Sequence, residues 1–166
     1  IYTKTVGFQN IENKTKADNH TIYSIGSVSK TFTAVLVLKA VEQKKVSLNT
    51  TIDKFFPAIP NVKKITVENL LNHSSGIGSI TDNADYLSWH TQPKSEKEML
   101  EIITKTGIDF EPNTKSAYSN SNYVLLSYIL ERIHKKKYSE ILNINIIKPL
   151  QLKNTYFGHS QRKTNH

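Results

Sequence analysis

The chain has 166 residues, of which 37% are apolar and 22% charged, with a net charge of +8 and no cysteine. That length and apolar content call for one domain with a core, which excludes wholesale disorder; the lack of cysteine excludes disulfides, thiolate nucleophiles, zinc fingers and iron–sulfur clusters. No run of about 18 apolar residues exists, so the sequence holds no transmembrane helix.

Residues 1–9, with Tyr2, Val6 and Phe8, alternate weakly and read as a strand. Asn10 to His20 is polar and turn-rich, and Thr21-Ile22-Tyr23 reads as a short extended piece. Gly26 and Ser27 then precede Phe32 to Val41, which is apolar on nearly every side. A helix of that kind is expected to be buried all round. Leu48 to Pro60 reads as irregular, and Thr66 as the cap of a short helix through Leu71. Ser74 to Gly78 reads as a loop. Ser95-Glu96-Lys97-Glu98 is a capping box that opens a helix closed by Gly107. Glu111 to Thr114 is a turn, Asn122 to His134 an amphipathic helix, and Ser139 to about Ile147 a further helix stopped by Pro149. The tail, His159 to His166, is polar throughout. This order is one strand followed mostly by helices, without internal repeats. Two strands alone make a marginal sheet, so either part of a sheet lies outside these residues or the helices form their own core.

The positive charge is lysine-rich: of the 22 basic residues only Arg132 and Arg162 are arginines. Scattered lysines, with one run at Lys135-Lys136-Lys137, suit a solvated surface or attraction to an anionic polymer better than nucleic-acid readout, which favours arginine. No nucleic-acid partner is expected.

Two short patterns carry chemistry. In Ser27-Val28-Ser29-Lys30 the serine stands at a helix start, where unpaired N–H groups and the positive dipole end favour a developing oxyanion. Lys30, three residues on, lies on the same face. A lysine in the first turn opposes the dipole, and an apolar setting would favour its neutral, basic form, able to activate the serine hydroxyl. The bland alternative is a helix cap beside a snorkelling lysine. A second Ser-x-x-Lys, Ser160 to Lys163, sits in the polar tail and reads as accidental. The other pattern is Tyr118-Ser119-Asn120 between a turn and a helix. A phenol beside an ammonium has a lowered pKa and can move protons, while the asparagine amide can hold both the lysine and a substrate carbonyl. Its bland alternative is a packed tyrosine and a capping asparagine.

Thr21 to Ala34 resembles the nucleophile segment of the serine β-lactamase and penicillin-binding-protein superfamily, in its class C β-lactamase and DD-peptidase branch. Leu70-Leu71-Asn72-His73-Ser74-Ser75-Gly76-Ile77, Glu111 to Asn120 and Lys148 to Thr155 resemble three further segments of that branch, in the same order. The resemblance implies an α+β, β-lactamase/transpeptidase-like fold. These residues would hold mainly its helical domain plus one or two N-terminal strands, as a single partial domain over 1–166. It implies Ser27 as acylated nucleophile, Lys30 as the group that helps deprotonate it, Tyr118 as proton carrier to the leaving group, and Asn120 as a contact to Lys30 and the substrate amide. It implies no metal and no organic cofactor.

The family's third element, Lys-Thr-Gly or His-x-Gly on a strand after the tyrosine, has no counterpart here. Lys105-Thr106-Gly107 precedes Tyr118 and reads as ordinary helix capping, and Phe157-Gly158-His159 does not fit. Relatives run to roughly twice this length, so the chain reads as an N-terminal half lacking most of the sheet. An incomplete sheet would leave a face prone to association. Asn113, Gln151 and Leu152 replace family residues in loops and packing positions. His20, His90, His134, His159 and His166 show no metal-ligand spacing, and His73 reads as structural. The expected activity is that of a serine hydrolase working through an acyl-enzyme on an amide, β-lactam or ester carbonyl, with D-Ala-D-Ala peptides, β-lactams or small esters as substrates. The expected location is the cell envelope, periplasmic or secreted, although Ile1 to Asn10 shows no signal-peptide pattern. The alternative is a non-catalytic homologue that binds cell-wall peptide or a partner, or an inactive fragment of the enzyme.

Overall fold

The structure, a computed structural model, describes residues 2–158. The polar tail from His159 and the second Ser-x-x-Lys at Ser160 lie outside the described residues. β1 (Phe8–Asn10) and β2 (Thr15–Lys16) form a two-stranded antiparallel ribbon, Phe8 opposite Lys16 and Asn10 opposite Thr15, with an irregular register between. Asn13 turns the chain between them: its side-chain oxygen accepts from the Thr15 amide at 3.1 Å. The strand expected over residues 1–9 is therefore confined to its end, and its partner comes from the polar segment read as a turn. Every residue of the ribbon is exposed. Thr21-Ile22-Tyr23 joins no strand.

Helix α1 (Ser29–Glu42) follows a 3₁₀ turn at Gly26–Val28. One face, Thr33, Leu36, Val37 and Ala40, is buried. Val35 and Leu38 are 42% and 51% exposed. The expectation of burial all round is thus met on one side only. An apolar circumference permits burial on any side, and the packing of the described residues uses the side that meets α5.

Helix α2 (Val67–Leu71) opens with a reciprocal capping box between Thr66 and Asn69. A short α3 (Tyr86–Trp89) follows. Helix α4 (Glu96–Thr106) has the Ser95–Glu98 capping box and ends on Gly107, at φ 82°. Helix α5 (Asn120–His134) closes on Lys135 in the left-handed region, and α6 (Tyr138–Leu142) runs on into a π-helical turn, Asn143–Ile147. Leu125, Leu126, Ile129 and Leu130 of α5 are fully buried and pack against α1, α2 and α6. Burying each such side chain contributes roughly 1.5–3 kcal/mol, so α5 is the axis of a helical core. The same helix begins at Asn120, and its packing fixes where the Tyr118 segment can lie.

Candidate active site

The residues at the start of α1 and the start of α5 meet. Gly26 takes φ +51°, a conformation that side chains disfavour, and this bends the chain into the turn that presents Ser27. Ser27 does not cap α1. Ser29 bonds back to the Gly26 carbonyl at 2.6 Å instead, and neither the turn nor α1 has a side-chain cap. The Ser27 hydroxyl is left free for other partners.

Two groups donate to it. Lys30 Nζ reaches Ser27 Oγ at 3.0 Å, and Tyr118 OH reaches the same oxygen at 2.8 Å. Lys30 Nζ also donates to Asn120 Oδ1 at 2.8 Å. It lies 4.9 Å from the Tyr118 ring centre and 5.7 Å from that of Tyr123. Lys30 is therefore half-buried among polar and aromatic partners rather than in the apolar setting expected of it. All four residues singled out by sequence, Ser27, Lys30, Tyr118 and Asn120, share one cluster although 90 positions separate Lys30 from Asn120.

Asn120 is held at both ends of its amide. Its oxygen faces Lys30, and its Nδ2 donates to Thr81 Oγ1 at 3.0 Å and Ser79 Oγ at 3.5 Å. The Asn120 backbone N–H also donates to Ser79 Oγ, at 3.1 Å. These hydroxyls decide which way the amide points. Ser79 and Thr81 carry no sequence signal beyond their nearness to the glycine-rich Gly76-Ile77-Gly78 loop. The loop itself is seated by backbone pairing: Asp109 donates to the Gly76 carbonyl at 2.8 Å and Gly78 to the Gly107 carbonyl at 3.1 Å. Ser121, wholly buried on α5, donates to the Gly78 carbonyl at 2.6 Å and accepts from the Ile80 amide.

The Lys30 ammonium beside it, and then the Ser27 hydroxyl, hold the Tyr118 phenol below its ordinary value, against a smaller opposing effect of burial. Tyr118 remains 54% exposed. The arrangement can pass a proton between serine, tyrosine and lysine without any other group. Lys105-Thr106-Gly107 stands apart from it, at the end of α4, where Thr106 bonds back to the Ile102 carbonyl and Gly107 closes the helix. Among the described residues no group of three or more His, Asp or Glu is placed to hold a metal ion.

The chain matches the Beta-lactamase family over residues 1–166. It belongs to that family. Among its relatives in the Beta-lactamase family is a teichoic acid D-alanine hydrolase of Staphylococcus aureus, 30% identical over 159 residues, or 96% of this chain and 38% of the relative. Two of the similar solved structures show the match. One is the D-amino acid amidase of Ochrobactrum anthropi SV3, at 28% identity and a TM-score of 0.80, covering 88% of this chain and 40% of that one. The other is an octameric penicillin-binding protein homologue from Pyrococcus abyssi, at 29% identity and a TM-score of 0.82, covering all of this chain and 40% of that one. These relatives bear out the class C and penicillin-binding-protein branch and the fold expected from the motifs. The chain spans about two-fifths of the length of each.

Proposed function

We propose that this Beta-lactamase family member is a serine acyl-transfer hydrolase acting on D-aminoacyl esters or amides, with a D-alanyl ester on an anionic envelope polymer as its substrate. The observation that carries the reading is the convergence of Lys30 and Tyr118 on Ser27 Oγ, at 3.0 and 2.8 Å. The names of two relatives, a teichoic acid D-alanine hydrolase and a D-amino acid amidase, supply the D-aminoacyl group. The net charge of +8 suits a polyanionic substrate and a place at the cell envelope.

In this reading Tyr118, as phenolate, takes the Ser27 proton while Ser27 Oγ forms a bond to the substrate carbonyl carbon. The developing oxyanion lies at the start of the Gly26–Val28 turn, where the first N–H groups have no partner within the helix. As the bond to the leaving oxygen or nitrogen breaks, Tyr118 returns the proton to it. Water then attacks the Ser27 ester by the same relay, releasing the D-amino acid and the free serine. Lys30 stabilises the phenolate each time it re-forms, and Asn120 holds Lys30 in place.

The test is D-alanine release from D-alanylated teichoic acid by the full-length protein, against an L-alanyl ester of matched structure. The reading expects faster release of the D form and loss of release in Ser27→Ala. Full hydrolysis by Ser27→Ala would end it.

A further inference from the structure

His73 brackets Tyr118 from three directions. Its backbone takes φ +62°, a left-handed conformation uncommon outside glycine and several-fold enriched in Asn, Asp and His. That twist lets the His73 carbonyl accept from the Ala117 amide at 3.0 Å and from Ser116 Oγ at 3.3 Å, just before Tyr118. On the other side, the Ser119 amide donates to His73 Nδ1 at 3.1 Å. The imidazole itself lies against the Tyr118 ring, centroids 4.7 Å apart, and against Tyr123 at 5.3 Å. An Nδ1 that accepts an amide N–H carries no proton, so the ring proton sits on Nε2.

The surroundings oppose a second proton. Facing the ring are the phenols of Tyr118 and, from α5, Tyr123, the Asn122 amide 3.4 Å from Nδ1, and the Lys30 ammonium from α1. Among the described residues no carboxylate pairs with it. Burial, and then Lys30, hold the imidazole below its ordinary value.

We propose that His73 is a positioning residue for the reaction: its neutral, Nε2-protonated ring clamps the 117–119 segment so that the Tyr118 hydroxyl meets Ser27, and adding a proton at Nδ1 releases the clamp. The inference rests on the proposed role of Tyr118. A protonated Nδ1 would turn a donor toward the Ser119 N–H, losing that bond and setting two donors face to face. It would also place a second positive charge beside Lys30. His73 forms no bond with Ser27, and its effect passes through Tyr118.

The experiment compares His73→Phe and His73→Asn in the full-length protein. Phenylalanine keeps the ring face and loses the acceptor. Asparagine tolerates the left-handed backbone, offers an oxygen to the Ser119 amide and does not titrate. The inference expects kcat to fall about tenfold or more in His73→Phe with KM within about twofold, a part of the roughly 10²–10⁴-fold that acid–base groups supply. In His73→Asn kcat recovers, and the fall in rate on the acid side moves to lower pH. A second readout needs no substrate. With ¹³C-labelled tyrosine, the Tyr118 ring-carbon signal of the wild type should show a step at the pH where the His73 ring titrates, and His73→Asn should abolish that step. Unchanged kcat in His73→Phe, or a Tyr118 signal blind to His73, would overturn the inference. The step without any hydrolysis would leave the clamp standing and remove the proposed activity instead.

Discussion

The Lys30 ammonium holds the Tyr118 phenol below its ordinary value, and the proposed reaction uses that phenol as the base. The ammonium stands 4.9 Å from the phenol ring and shares Ser27 Oγ with its hydroxyl. Replacing Lys30 by methionine keeps an unbranched side chain one atom shorter and removes the charge. The Tyr118 pKa should then rise toward the ordinary tyrosine value of about 10. The sign follows from the phenolate being the stabilised form: with its cation gone, a higher pH is needed to deprotonate Tyr118. The alkaline rise in acylation rate should therefore shift to higher pH in Lys30→Met, as measured by single-turnover kinetics across pH. A profile that did not move would show that Lys30 does not govern this phenol. The site residues are legible because their two short motifs lie in segments that resemble those of the family; alone, each pattern leaves a helix cap or a packed tyrosine open. Thr81 and Ser79 were not, since a hydroxyl that turns an asparagine amide looks like any loop hydroxyl until the fold brings it within 3.0 Å of Asn120 Nδ2.

At the scale of elements, the loop from His73 to Thr81 is where the site is most exposed to error. Gly76 takes φ +79°, and a Cβ there would sit 1.9 Å from the Phe110 carbonyl oxygen. Gly76→Ala adds a left-handed strain of about 1–2 kcal/mol and a backbone clash of about 1–3 kcal/mol. A loss near 3 kcal/mol should lower Tm by roughly 6–12 °C, and Gly158→Ala, at φ +68° in open space, should lower it less. Calorimetry of both variants checks the prediction. Equal losses would mean that the approach of Phe110 is not what Gly76 accommodates. The helices themselves were mostly legible. Thr66 announces the cap of a short helix, Ser95 its capping box and Gly107 a helix end, and the spacing of Leu126, Ile129 and Leu130 announces a buried stripe. Three features were less so. The ribbon strand β2 is two polar residues that pair only because Asn13 turns the chain. Helix α5 begins two residues earlier than its amphipathic pattern, because buried Ser121 and Asn122 bond to the loop at Gly78 and Ser75 instead of packing apolar surface. The one-sided burial of α1 depends on what packs against it, which no periodicity can state for a helix apolar all round.

At the scale of the molecule, a helical core centred on α5 brings the start of α1 and the start of α5 together. Ser27 and Lys30 come with the first, and Tyr118 and Asn120 with the second. Val35 and Leu38 on α1 stay exposed, and the chain spans about two-fifths of the length of its relatives. The proposed reaction requires Ser27 to form a covalent acyl bond. Intact mass spectrometry of the full-length protein after incubation with a fluorescent penicillin or an activated D-alanyl ester, beside a Ser27→Ala control, tests it most directly. An acyl-enzyme at Ser27 gives a mass increase equal to the acyl group, mapped by peptide analysis to Ser27 and absent from Ser27→Ala. An adduct that persists in Ser27→Ala, or one mapped to another residue, would contradict it.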